Sequence, residues 1–166
     1  MDIFYNRIKE ICEKNKKVAM FIDMDGTIVE YKVYQEGTIK KDTRGEFIEA
    51  NPIEIVIEKL KKINEISNID LYILSLSKTN IIVEEKKKWL RKYASFIEEN
   101  NWIIINKEAN EYNSENRDYI KSNKIKEKMN DYDFAILIDD DHKILKQAQA
   151  DLKEKGNVFH LSSVII

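Results

Sequence analysis

Two short apolar runs, VAMFI at 18–22 and FAILI at 134–138, each end directly in aspartates. An unbroken apolar run of that length, with no polar alternation, is the pattern of a strand covered on both faces. Such strands belong to parallel sheets, whose crossovers lay helices against each face. The rest of the chain fits that demand. IDLYILSLS at 69–77, NWIIIN at 101–106 and NVFHL at 157–161 read as three more strands. Segments with helical spacing lie before and between them. Phe4, Ile8, Ile11 and Cys12 form one apolar stripe over 2–15, and Ile53, Val56, Ile57, Leu60 and Ile63 form another. Ahead of the second stripe, Asn51 suits an N-cap, Pro52 the first helical position and Glu54 a capping-box acid. Residues 79–93 put Ile82, Lys86, Trp89 and Tyr93 on one side, 115–130 are weakly helical and very polar, and 142–155 are helical up to Gly156. Alternating strands and helices with right-handed crossovers predict one three-layer α/β/α domain over 1–166, with a doubly wound, mostly parallel sheet. Residues 28–50, rich in β-branched and aromatic side chains around Gly37, read as a flap or minimal cap.

The chain's totals exclude several classes. At 166 residues and 43% apolar it can bury a real core and is not a disordered protein. Its 28 basic residues are balanced by 30 acidic ones, so the net charge of -2 leaves no strong nucleic-acid footprint. The single cysteine, Cys12, provides no disulfide framework and suits a reducing, cytoplasmic location. No run reaches membrane-spanning length, so no membrane partner is expected.

In a doubly wound sheet, sites form beyond the carboxyl ends of the strands, where strand order reverses. The first strand ends in Asp23 and Asp25, and the fourth in Asp139, Asp140 and Asp141. If these strands are neighbours, four or five carboxylates meet in one crevice. Like charges ~4 Å apart repel by a kcal/mol or more, so the cluster calls for a cation. Oxygen donors without His or Cys favour Mg²⁺, which pairs naturally with a phosphate. The competing reading makes these aspartates ordinary caps of the following helices. It explains one acidic loop more easily than two in the expected places.

At these motifs the chain resembles the haloacid dehalogenase (HAD) superfamily of phosphohydrolases. DMDGT, YILSLS and ILIDDD look like its first, second and fourth motifs. The resemblance implies a HAD-like fold and an Mg²⁺-dependent phosphomonoester hydrolase. Asp23 would be the nucleophile that forms an aspartyl-phosphate, and Asp25 the general acid and then base. Asp23, the backbone carbonyl of Asp25, and Asp139 would hold the metal. Gly26 would permit the tight turn, Thr27 would orient Asp25, and Asp140 would help position the site. Ser75 and a lysine would hold the phosphoryl oxygens. For that lysine the polar stretch offers Lys121, Lys124, Lys126 and Lys128, with Lys107 upstream. Lys124 follows Ser122 and Asn123, which suit a helix cap, and is the choice here.

Other residues read more simply. His142 suits a solvent-facing helix start. Trp89 and Tyr93, four apart, suit core packing better than base stacking. EEKKK at 84–88 reads as a solvated helix face. The segments RGEFIEANPIEIVIEKLKKI and KKKWLRKY also resemble the 5′(3′)-deoxyribonucleotidase branch of the superfamily. That resemblance implies a phosphorylated small-molecule substrate, such as a nucleoside monophosphate, with Tyr31, Tyr34, Phe47 and Ile48 near the nucleoside. An open site would instead admit a phosphorylated nucleic-acid end or phosphoprotein. A non-catalytic Mg²⁺ and phosphate-binding module is a third reading, which the intact set of acids argues against.

Overall fold

The computed structural model describes residues 2–31 and 47–166. Among them, five parallel strands form one sheet: β1 (Val18–Ile22), β2 (Ile69–Ser77), β3 (Trp102–Asn106), β4 (Phe134–Asp139) and β5 (Gly156–His160). Their order is β3-β2-β1-β4-β5. The chain winds outward from β1 to β3, then returns to β4 on the other side of β1. The reversal therefore lies between β1 and β4. Ile22 faces Ile138 across this pair, and Asp23 N donates to Ile138 O at 2.9 Å. The two acidic strand ends are thus set level.

The helices divide between the faces as the strand alternation requires. Val18, Met20 and Ile22 point into a core shared with α1 (Ile3–Lys14), α2 (Glu54–Ile63) and α3 (Asn80–Tyr93). Ala19 and Phe21 point to the other face, against α4 (Arg117–Lys128) and α5 (His142–Leu152). A short α6 (Leu161–Val164) adds Val164 to the first core. The three-layer α/β/α architecture expected from the alternation is present. So is the core reading of Trp89: it is 1% exposed, packs on Tyr93 at 4.9 Å, and donates from Nε1 to Ala50 O.

Two helix starts differ from the sequence expectation. Asn51 and Pro52 lie before α2, whose N-cap position is Ile53 without a side-chain cap. Pro52 instead pairs in an isolated bridge with Val29, a contact with the loop after β1 that propensity does not register. In α4 the helix begins well before Ser122. Asn113 and Asn116 tie each other just ahead of it: Asn113 N donates to Asn116 Oδ1 at 2.7 Å, and Asn116 N to Asn113 Oδ1 at 3.0 Å. Most of the flap expected at 28–50 falls on residues 32–46, which lie outside the described residues, as does Tyr34.

Candidate active site

The turn after β1 is built by backbone hydrogen bonds. Thr27 N and Ile28 N return to Met24 O at 3.1 and 3.0 Å, and Gly26 N donates to Val29 O at 2.8 Å. Gly26 sits at φ 74, in the left-handed region that disfavours a side chain. A Cβ there would also lie 2.2 Å from the Tyr31 ring and 2.5 Å from Asp140 Oδ2. The positive φ is what calls for glycine here, since those two side chains could swing aside.

Asp23, Asp139 and Asp140 bring carboxylate oxygens within 4.8 Å of one another. Asp23 and Asp139 are buried, at 5% and 1% exposure. Lys121, itself 2% exposed, donates to Asp23 Oδ1 and to Asp139 Oδ2, both at 2.6 Å. Burial pushes the Asp23 carboxyl up, to about 7, with Asp139 and Asp25 adding to the rise and Lys121 opposing it. Lys121 is held above its ordinary range because the two aspartates outweigh its desolvation. Burial also raises Asp140, reinforced by Asp139 and opposed by a hydrogen bond from Tyr31.

Asp25 faces another way. Its Oδ2 accepts a 2.6 Å hydrogen bond from Lys86, and its side chain is 39% exposed. Lys86 Nζ also donates to Ser75 Oγ at 2.8 Å and to Leu76 O at 2.7 Å, and lies 5.0 Å from the centre of the Phe47 ring. Thr27, expected to orient Asp25, reaches Asp23 instead, with Oγ1 at 3.4 Å from Oδ2.

Three placements correct the sequence reading. Lys124 is not at the cluster: it pairs with Glu127 at 3.3 Å on the outer part of α4, because the helix starts at Arg117 and turns Lys121 inward. Lys121 and Ile125, four apart and both buried on α4, carry the local sign of that inward face. EEKKK is not all solvated either. Glu85 and Lys86 are 6% and 1% exposed, and Glu85 accepts from Phe47 N at 3.2 Å. Lys86 lies four after Ile82 and three before Trp89, so helical phase marked it. Ser75 is fully buried against Lys86, whereas Ser77 reaches the crevice. His142 is exposed and stacks on His160 at 4.5 Å. Asp141 does act as a cap, accepting from Lys143 N at 2.9 Å, and pairs with Arg117.

The acids open on a crevice of about 700 Å³. Its walls include Tyr31, Phe47, Ile82, Tyr112 and Arg117. No helix among the described residues is long and apolar enough to cross a membrane.

No protein-family model matches the chain. A search of curated proteins also finds no match. Among solved structures, the HAD domain of effector protein Lem4 from Legionella pneumophila superposes with a TM-score of 0.51 at 12% identity, covering 87% of each chain. The fold is HAD-like. At that identity the likeness shows the fold alone. The site's donor set is compatible with a hard divalent cation: three carboxylates, no imidazole or thiolate, and one lysine offsetting part of the charge.

Proposed function

We propose that this chain is a HAD-type phosphatase, a phosphoric monoester hydrolase working through an aspartyl-phosphate. The observation that carries the reading is the convergence of Asp23, Asp139, Asp140 and Lys121 at the β1–β4 reversal, with Asp25 two residues from Asp23. In this reading an Asp23 oxygen attacks phosphorus while the bond to the leaving oxygen breaks. Asp25 gives that oxygen a proton. A water then attacks phosphorus, Asp25 takes its proton, and inorganic phosphate leaves Asp23 free again. Asp25 Oδ2 is engaged by Lys86, so the other oxygen, Oδ1, carries the proton. Lys121 has two of its three N–H groups on aspartates, and the third is available for a phosphoryl oxygen.

Asp23 and Asp139 would hold Mg²⁺ with the backbone carbonyl of Asp25. Asp140 is a third acid close enough to hold it directly or through water. When bound, the ion would offset charge between carboxylates and phosphate. Nucleoside monophosphates are the first substrate class to try. The crevice volume lies within the range of small-ligand sites, and Tyr31, Phe47 and Tyr112 give it aromatic walls.

The test is phosphate release from an aryl phosphate and from 5′- and 3′-nucleoside monophosphates, with Mg²⁺ or with chelator. Mg²⁺-dependent release is expected, and Asp23→Asn should reduce it ~10⁴-fold or more, as loss of a catalytic nucleophile does elsewhere. Folded protein that binds Mg²⁺ but releases no phosphate from any ester would refute the enzyme and leave a binding module.

A further inference from the structure

The two serines at the end of β2 differ in one respect that concerns the substrate. Ser75, the serine the motif match picks out, is fully buried and accepts from Lys86 Nζ at 2.8 Å. It is not among the residues that line the crevice. Ser77 lies two residues further, on the same face of the strand. It is 2% exposed and lines the crevice between Leu76 and Lys78. Its Oγ is also the one buried side-chain nitrogen or oxygen among the described residues with no hydrogen-bond partner. A buried hydroxyl left unpaired weakens the folded state, and an isolated case calls for an explanation. The position of Ser77 supplies one, because its partner can arrive with the ligand.

We propose that Ser77 Oγ donates a hydrogen bond to a phosphoryl oxygen of the bound ester, while Ser75 serves to hold Lys86. This assignment rests on the phosphatase reading and names a group that the motif match passes over. Lys86 supports it independently. All three of its N–H groups are taken, by Asp25 Oδ2, Ser75 Oγ and Leu76 O, so it has none left for phosphate. A donor from the β2 end must come from another residue.

Inorganic phosphate is the probe, used as a competitive inhibitor of Mg²⁺-dependent aryl phosphate hydrolysis by the full chain. Ser77→Ala is expected to weaken phosphate inhibition about tenfold or more, the usual effect of losing a hydrogen bond to a charged group. The same variant should unfold at an equal or higher temperature than the wild type, because an unpaired buried hydroxyl has gone. Ser77→Thr should restore inhibition. Ser75→Ala should lower the unfolding temperature, with a smaller change in phosphate affinity. Affinity and stability moving in opposite directions in Ser77→Ala is a signature that a purely structural serine does not produce. Unchanged phosphate inhibition in Ser77→Ala would overturn the assignment, as would a larger loss in Ser75→Ala. If the wild type proves inactive, the phosphatase reading fails by itself, and ³¹P line broadening then decides this one. Phosphate binding lost in Ser77→Ala supports it, and no binding by the wild type refutes it.

Discussion

Lys121 and Lys86 are both buried at 2% exposure or less, and both meet aspartates at 2.6 Å. They do different things because they have different numbers of donors left. Lys121 spends two N–H groups on Asp23 and Asp139, acids more than nine-tenths buried, and keeps one. Lys86 spends all three and ties α3 to the β2 end and to Asp25, whose side chain is 39% exposed. One is a countercharge with room for a ligand, and the other is a tie between segments. The charge on a buried lysine is therefore a poor guide to its role unless its partners are counted.

Substituting each lysine tests that comparison most strongly. Lys121→Met leaves two buried carboxylates facing each other and should cost about 3–5 kcal/mol in urea unfolding with chelator present. Lys86→Met strands Ser75 Oγ and Leu76 O but leaves Asp25 partly in water, and should cost about 1–3 kcal/mol. Added Mg²⁺ should recover more of the first loss than of the second. The reverse ranking would mean that the tie matters more than the countercharge.

A pH series sharpens the deep half of the site. Asp23 is raised in the folded state from an ordinary value of 3.8 to about 7. A carboxyl raised on folding favours the folded state below its unfolded value, and that contribution is lost as pH rises through its folded value. In chelator, wild-type stability relative to Asp23→Asn should therefore fall between about pH 4 and pH 7. A flat difference over that window, with a change confined to pH below about 4, would show Lys121 overcoming burial and holding Asp23 low. The smallest effect is expected at Lys124, whose ion pair with Glu127 lies on the surface. Lys124→Ala should change stability by less than about 0.5 kcal/mol and leave hydrolysis intact. A large loss of activity there would return the phosphate-binding role to it.

Much of this architecture was legible in local pattern. The apolar runs at 18–22 and 134–138 are strands over those residues, and three of the acids that follow them, Asp23, Asp139 and Asp140, do meet. Both follow from short-range physics: a strand buried on both faces must be apolar throughout, and in a parallel sheet its carboxyl end opens toward the site. Helix phase was half legible. Ile82, Lys86 and Trp89 were seen to share a side, yet the charge of EEKKK favoured solvent.

What only the tertiary structure decided was the fate of side chains whose local context allows two outcomes. Ser122 and Asn123 are good caps in isolation, but α4 already begins at Arg117, and packing on the sheet turns Lys121 inward in place of Lys124. Ser75 and Ser77 share a face of β2, and only the arrival of Lys86 from α3 satisfies one and leaves the other unpaired. The sequence by itself determined where the strands end and which acids stand there, because apolar runs and strand-end chemistry are local. Which cation and which hydroxyl join them depends on partners far away in the chain: helical phase marks Lys86 and Lys121 as buried, but not the groups they meet.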